Sequence, residues 1–365
     1  MMAFHFTAER GEYNGETSMV IARRAFLLGA VTTTASLALA SCSSSPTNSM
    51  VLKVAQNSSA FSYFPIFVAT QQGFFKAQGL TFDPDPVPIT GNGAKTAPGI
   101  EAGNIEVAIG TITDAFTLSR IDASIKIVGS VCNAFLIDLI ASNAFLSATG
   151  LNKQSPLESK VKALVGKKVG ISSPGTATDG LITYLFRQYG YDDQRDVVKV
   201  NLGNVTPTTA LSALSSGHID IVSWPVPSGQ VAEAQGIGRL FISPVLGDIP
   251  AMGDMLYSII YTRQPVIDMK PKAVAAFIRA VAQAEAFIRD EPKQTAALLT
   301  KFLKLDSHTT NAVAKAALSA MPASPQIDQH TYQVANDFHV KAGLIAIALP
   351  YNALVATDTI RKALA

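Results

Sequence analysis

One seven-residue pattern occurs twice, and it restricts the fold more than any other feature of the chain. Ala102-Gly103-Asn104-Ile105-Glu106-Val107-Ala108 and Ser216-Gly217-His218-Ile219-Asp220-Ile221-Val222 agree in residue type at every position, 114 places apart (102 to 216). Each copy reads as a helix end closed by a left-handed Gly, then an acid, then a buried strand. A helix-to-strand turn repeated at that separation implies two α/β lobes built on one plan. The surrounding sequence agrees. Short apolar strands are expected at Val51–Ala55, Ile105–Ile109, Ile125–Ser130, Leu136–Ala141, Lys168–Ile171 and Ile219–Ser223, with helical stretches between them. That alternation implies parallel sheets covered on both faces. From Pro271 onward the pattern turns helical: Val274, Phe277, Ile278, Val281, Ala284 and Ile288 recur at three- and four-residue steps and define one buried face. Leu298, Leu299 and Phe302 repeat the spacing after Pro292, which suits a helix start.

The amino terminus bears on the compartment. Arg23-Arg24 precedes an apolar run from Ala25 to Ala40 that is too short to span a bilayer, and this is the layout of an export signal over residues 1–41. Glu9, Glu12 and Glu16 do not belong in such a signal, so Met19 is an alternative start. Leu39-Ala40-Ser41-Cys42 resembles the lipobox of bacterial lipoproteins, which implies a lipid on Cys42 and a membrane anchor. Arg23-Arg24-Ala25-Phe26-Leu27 resembles a twin-arginine export motif; the paired Arg also suits an ordinary signal, and both routes stay open. Residues 42–50 then read as the lipidated Cys and a small, polar, flexible tether.

About 315 residues follow the tether (365 less 50), enough for two medium domains. Hydrophobic residues make up 48% and charged residues 15%, which excludes a disordered chain. A net charge of +2 without a basic run leaves nucleic-acid binding no electrostatic footprint. With Cys42 lipidated, Cys132 has no partner within the chain, so a disulfide framework is excluded.

Several segments carry a family resemblance. Gly73-Phe74-Phe75-Lys76-Ala77-Gln78-Gly79-Leu80, the run Leu164-Val165-Gly166-Lys167-Lys168-Val169-Gly170-Ile171-Ser172-Ser173-Pro174-Gly175-Thr176-Ala177-Thr178, the two Gly-x-Ile-acid strands and Lys341-Ala342-Gly343-Leu344-Ile345 occur in order. Together, from Val51 to the C-terminus, they resemble the nitrate/sulfonate/taurine-type substrate-binding proteins of ABC importers. The resemblance implies a two-lobed periplasmic-binding-protein-like α/β fold of type II, with two crossing hinge strands and a helical C-terminal region. It implies a first lobe over 51–136, a second over 137–255, and completion of the first by 256–365, with crossings near Leu136–Ala141 and Leu256–Tyr261. A small-molecule ligand held between the lobes, an ABC permease with its ATPase as partner, a monomer and no cofactor follow as expectations. Pro98-Gly99 departs from the pattern, interrupting a stretch that is a continuous helix in the family.

In such a fold, ligands meet loops at the carboxyl ends of strands, beside helix starts. After the first strand, Asn57 and Ser58 offer amide and hydroxyl groups, while Phe61 and Tyr63 either sandwich a flat ligand or pack under their own helix. Thr90-Gly91 allows close backbone approach or is a plain turn. Thr111 is a ligand contact by resemblance, and Asp114 reads as a helix cap. Ser173, Gly175, Thr176, Ala177 and Thr178 join a strand to a helix over Gly180–Gln188, where free N–H groups and the positive dipole end suit a sulfonate, nitrate or carboxylate. In the alternative, Thr176 and Asp179 form a capping-box-like pair. Trp224, the one Trp, either stacks on the ligand or packs between lobes. Asp254 is placed at the cleft rim by the resemblance. An aspartate pointing inward (Asp114, Asp179 or Asp254) would favour an amine-bearing ligand such as taurine or an aminopyrimidine thiamine precursor.

Relatives of this fold include a sulfinate desulfinase with a nucleophilic Cys and enzymes of thiamine biosynthesis. Here only Cys132 is available, with no His nearby in sequence, and it reads as a buried structural thiol. No HExxH or CxxC occurs, and His330 and His339 lack metal-ligand spacing. The chain is therefore expected to bind rather than to catalyse, without a metal; a flavin precursor is an alternative ligand, and a ligand-sensing lipoprotein that presents its closed form to a receptor would have the same sequence.

Overall fold

The computed structural model describes residues 47–365 apart from Asn204, so the export signal, Cys42 and most of the tether lie outside the described residues. Among the described residues eleven strands form: β1 Val51–Leu52, β2 Val54–Gln56, β3 Thr81–Phe82, β4 Val107–Thr111, β5 Ile125–Cys132, β6 Ile137–Ser142, β7 Lys168–Ile171, β8 Val198–Asn201, β9 Ile221–Pro225, β10 Gly238–Ile242 and β11 Ser258–Arg263. They make a four-stranded sheet in the order β2-β4-β11-β5, a five-stranded sheet in the order β10-β6-β9-β7-β8, and a small β1-β3 pair. These are the sheets of two lobes, and the architecture is the two-lobed α/β fold expected.

The sheets are not purely parallel, which corrects the expectation. β11 runs antiparallel to β4 and β5, and β6 runs antiparallel to β9 and β10. The reason lies in the path of the chain. It leaves the first sheet after Cys132 and joins the second at Ile137; it leaves the second after Ile242 and rejoins the first at Ser258. A strand entering a sheet from the side where the others end must run against them. Each sheet therefore has one reversed strand, the one that follows a crossing. Leu136 and Leu256–Tyr257 lie in the connecting segments, whereas Ile137–Ala141 and Ser258–Tyr261 are already strands of the receiving sheets. As a result, Ser258 pairs with Thr111 and Cys132 at the strand ends of the first sheet, and Ile137 pairs with Pro225 in the second.

The sequence echo is a structural repeat. Gly103 and Gly217 both adopt left-handed backbone, at φ 72° and 74°, as the helix ends require. The acids play one role in both copies. A carboxylate oxygen of Glu106 accepts the backbone N–H of Lys53 at 3.0 Å, and one of Asp220 accepts that of Lys168 at 2.9 Å. Each acid thus ties its own chain to the start of the neighbouring strand. The strands begin two residues later than expected, at Val107 and Ile221, because the residues around the acid belong to this clamp. The helix Gly93–Glu101 runs through Pro98 unbroken. Gly99 has a packing reason: a Cβ there would sit 2.5 Å from Ile105 Cδ1.

A large core spans the first lobe, the crossings and one face of the second sheet, while Ile140, Leu211, Leu214, Val222 and Trp224 belong to a smaller core on that sheet. The helix Pro271–Asp290 buries Val274, Phe277, Ile278, Val281, Ala284 and Ile288, as the periodicity predicts. It also buries Glu285, which the periodicity does not predict.

Candidate functional site

In the first lobe, the loop after β2 and the loop that follows β4 meet in one hydrogen-bonded network. Asn57 is its centre. Its Nδ2 donates to Asp114 Oδ2 at 2.7 Å, and its Oδ1 accepts from Thr96 Oγ1 at 2.9 Å. Thr90 and Thr96 hydroxyls lie 2.6 Å apart, and Gly91 N–H donates to the Asn57 carbonyl at 2.7 Å. Gly91 sits at φ 100°, a backbone that suits Gly. Thr111 ends β4 and caps the helix Ile112–Ser119; its backbone N–H and its hydroxyl both donate to Asp114 Oδ2, at 2.7 and 2.9 Å. The N–H of Ile112 is taken by the Tyr257 carbonyl at 2.9 Å. Burial pushes the Asp114 carboxyl up, against the pull of the Thr111 and Asn57 donors. Asp114 therefore caps its helix, as the sequence favours, and remains half-buried at the lobe edge.

The aromatic candidates divide. Phe61 is buried and stacks on Phe64 with ring centres 6.2 Å apart, so it packs under its own helix. Tyr63 is buried, and burial, followed by the nearby Asp114 carboxylate, pushes its phenol well above the ordinary range. Ser58 accepts from Ala60 N–H at 3.3 Å and shapes its loop. Beneath this cluster, Ser258 Oγ and Tyr261 OH are buried without a hydrogen-bond partner. The sequence reading missed Tyr257, Ser258 and Tyr261. The signal was available, because a strand that follows a crossing must begin beside the ends of its neighbours.

The second lobe offers a different junction. Ser172, Thr176 and Thr178 hydroxyls form a triangle with sides of 3.0, 2.8 and 2.9 Å. Thr176 Oγ1 also lies 2.7 Å from the Ser173 carbonyl and makes no cap bond to its helix. The helix is Ala177–Gln188, and its first backbone bond runs from Gly180 N–H to the Thr176 carbonyl at 2.8 Å. The N–H groups of Ala177, Thr178 and Asp179 precede that bond and take no backbone acceptor within the helix. Asp179 does not form the capping box with Thr176; it accepts the N–H of Gly175, which sits at φ 75°, at 2.8 Å. Its other oxygen is paired with Lys199 Nζ at 2.7 Å. Lys199 is further bound to Asp193 Oδ2 at 2.5 Å and Thr183 Oγ1 at 2.9 Å. Asp179 and Asp193 thus share Lys199 behind the helix start, and Arg187 Nε lies 3.5 Å from Asp193 Oδ1.

A third element reaches both junctions. In the helix Gln329–Lys341, His339 Nδ1 lies 2.6 Å from the Ala335 carbonyl, which can only accept, so Nδ1 carries the proton. Nε2 then accepts from Thr113 Oγ1 at 2.7 Å in the first lobe. Burial holds the His339 ring neutral, pushing it down to about 4. Phe338 packs on Phe135 of the first crossing and Tyr184 of the second lobe, with ring centres 4.8 and 5.5 Å apart. From the sequence His339 is weighed only as a metal ligand and Phe338 not at all, because nothing local marks a helix that packs against both lobes.

The remaining candidates lie elsewhere. Trp224 is 4% exposed and packs in the smaller core of the second lobe. Asp254 is exposed at φ 50° in the second connecting segment. Cys132 is fully buried, its thiol 3.5 Å from the Ala134 carbonyl and pushed up to about 12 by burial. Such a thiol is not a thiolate nucleophile at neutral pH.

The profile of the NMT1-like family matches residues 58–304, which spans both lobes. The chain belongs to this family. Among curated relatives, YtlA of Bacillus subtilis, named only as a binding protein, is 22% identical over 89% of this chain and 93% of its own length. Among solved structures, a chain from Bordetella bronchiseptica superposes with a TM-score of 0.69 at 20% identity, covering 87% of this chain and 97% of that one. The periplasmic aliphatic sulphonate binding protein SsuA of Escherichia coli gives 0.62 at 16% identity, covering 86% and 96%. DSZB, solved as a cysteine-to-serine mutant in complex with biphenyl-2-sulfinic acid, gives 0.61 at 13% identity, covering 86% and 98%. At these identities the structures establish the shared fold.

Proposed function

We propose that this chain is the extracytoplasmic solute-binding lipoprotein of an ABC importer, and that it captures a small ligand with an anionic head between its lobes. The observation that carries the reading is the start of the helix Ala177–Gln188. Three N–H groups lie ahead of its first backbone bond, a hydroxyl triangle sits beside them, and the nearby aspartate is ion-paired with Lys199. That arrangement suits a sulfonate or nitrate head without an Arg, through N–H donors and the positive end of the dipole. Thr111, Asn57 and the Tyr63–Tyr257–Ser258 cluster would meet the ligand from the first lobe. Closure of the lobes would bury it, and a permease with its ATPase would take the closed form. Cys42 would carry the lipid that keeps the monomer at the membrane.

A panel of ethanesulfonate, taurine, nitrate, ethylamine and an aminopyrimidine, read by thermal shift and calorimetry, tests this. One-to-one stabilisation by the anions and none by ethylamine is expected. Turnover of a panel member, or stabilisation by ethylamine alone, would remove the reading. Asp114 supports one refinement, an amine on the same ligand: taurine should then bind more tightly than ethanesulfonate, and Asp114→Asn should abolish the preference. For the anchor, Cys42→Ser should release the protein from membranes, and persistent attachment would contradict lipidation.

A further inference from the structure

At Thr47 the chain is fastened to the first lobe. Its N–H donates to the Met269 carbonyl at 2.6 Å, at the end of the helix Gln264–Met269. The next residue, Lys270, donates from Nζ to the Val51 carbonyl at 3.0 Å. This helix directly follows β11, whose last residue, Arg263, pairs with Ile125 at the start of β5. Arg263 Nε also holds Asp122 Oδ2 at 2.8 Å, in the turn that carries Ile121. These residues therefore gather at one edge of the first sheet, where β2, β4 and β5 begin. The crossings and the strand ends Thr111, Cys132 and Ser258 lie at the opposite edge, beside the cleft.

The strand-start edge is apolar in part. Ile121 is 73% exposed, and Val51 and Met269 are exposed as well. Its charges nearly cancel: Arg263 is paired with Asp122 and Lys270 with Glu106, so a strongly charged partner finds no match. Covalent reach decides what covers it. Thr47 is five peptide steps from Cys42 (42 to 47), a span of at most about 17 Å when fully extended. The eight residues of β5 set the two edges about 23 Å apart. A lipid on Cys42 can thus bring the strand-start edge to a bilayer, but not the cleft edge while Thr47 stays fastened. We propose that this edge is a membrane-resting face, with Ile121, Val51 and Met269 in the headgroup layer and the cleft on the far side of the lobe. The proposal rests on the lipidation of Cys42 in the reading above and adds to it an orientation.

Two measurements keep the anchor and the face apart. Mass spectrometry of the protein from cells reports the lipid on Cys42. Separately, the chain from Cys42 onward is coupled through that thiol to a maleimide lipid in phosphatidylcholine vesicles; Cys132 is fully buried and does not compete. Ile121→Trp is compared with Val198→Trp, an exposed position at the start of β8 in the second lobe, each verified as folded by circular dichroism. Phosphatidylcholine carrying a nitroxide on its headgroup is the quencher. Emission of Ile121→Trp, less that of the parent protein, should fall about twofold or more, because a Trp at headgroup depth lies within reach of the nitroxide. That of Val198→Trp should hardly change. Equal quenching at both positions, or none at Ile121→Trp, would overturn the face and leave the anchor standing. An unmodified Cys42 in cells would instead overturn the anchor, and with it the bilayer as the partner of this edge.

Discussion

In the first lobe the helix after β4 starts at Ile112 with its donors committed: the Tyr257 carbonyl takes one N–H, and Asp114 reaches back to the cap residue Thr111. In the second lobe the helix after β7 starts at Ala177 with its donors open, and its aspartate is drawn away by Gly175 and Lys199. Both are strand-to-helix junctions in lobes of one plan, and both carry an acid in the first turn. What separates them is the cation. Asp114 has none among the described residues, while Asp179 shares Lys199 with Asp193. Two repeats of one architecture can thus surround an acid at the same junction with different charge, and Lys199 on β8 is central to the difference.

The largest expected effect tests whether the lobes are separable in stability. Trp224→Ala should cost about 3–5 kcal/mol, because it empties the smaller core that belongs to the second lobe. Urea unfolding monitored by hydrogen exchange should show the second sheet opening first. A uniform loss across both sheets would mean that the lobes unfold as one unit.

Next comes a difference in pH response. Asp138, at the start of the reversed strand β6, is fully buried, and Ser243 Oγ donates to one of its oxygens at 2.6 Å. Burial pushes it up to about 7, so the folded chain holds a proton that the unfolded chain releases near 4. Stability from that proton is complete below about pH 4 and is lost as pH rises through about 7. Relative to Asp138→Asn, the wild type should therefore lose roughly 2–4 kcal/mol over that window. Parallel curves from urea melts at several pH values would show that the site relaxes or hydrates instead.

Lys199→Met addresses the comparison directly. It leaves a bare carboxylate at the helix start and should weaken ethanesulfonate binding by about tenfold, with Asp179→Asn in the same chain restoring most of the loss. A merely structural role for Lys199 would give no rescue. The smallest effect is expected from Thr176→Ala, which removes one corner of the hydroxyl triangle; about threefold weaker binding should appear in calorimetry. Unchanged affinity in both Lys199→Met and Thr176→Ala would move the ligand away from this helix.

Much of this was legible in the residues. The doubled Gly-x-Ile-acid pattern predicts two lobes, and the structure adds that both acids clamp a neighbouring strand. The run from Ser172 to Asp179 announces a helix start because Pro174 and Gly175 break a strand and Thr176 is of the residue type that begins helices. The aromatic residues were not legible in the same way. Phe61 and Tyr63 follow a strand and Trp224 lies near the end of one, where stacking on a ligand and packing in a core leave the same sequence trace. Only the positions of their neighbours separate the two.

By itself, then, the order of apolar, small and breaking residues determined the elements and their doubling, because strand, cap and helix preferences act over a few positions. The partner of each charge was left to the tertiary structure. Lys199 lies 20 positions from Asp179, and no residue within reach of Glu285 along the chain pairs with it. Coulomb and desolvation energies depend on distances through space and on the exclusion of water, and neither exists until the lobes have packed.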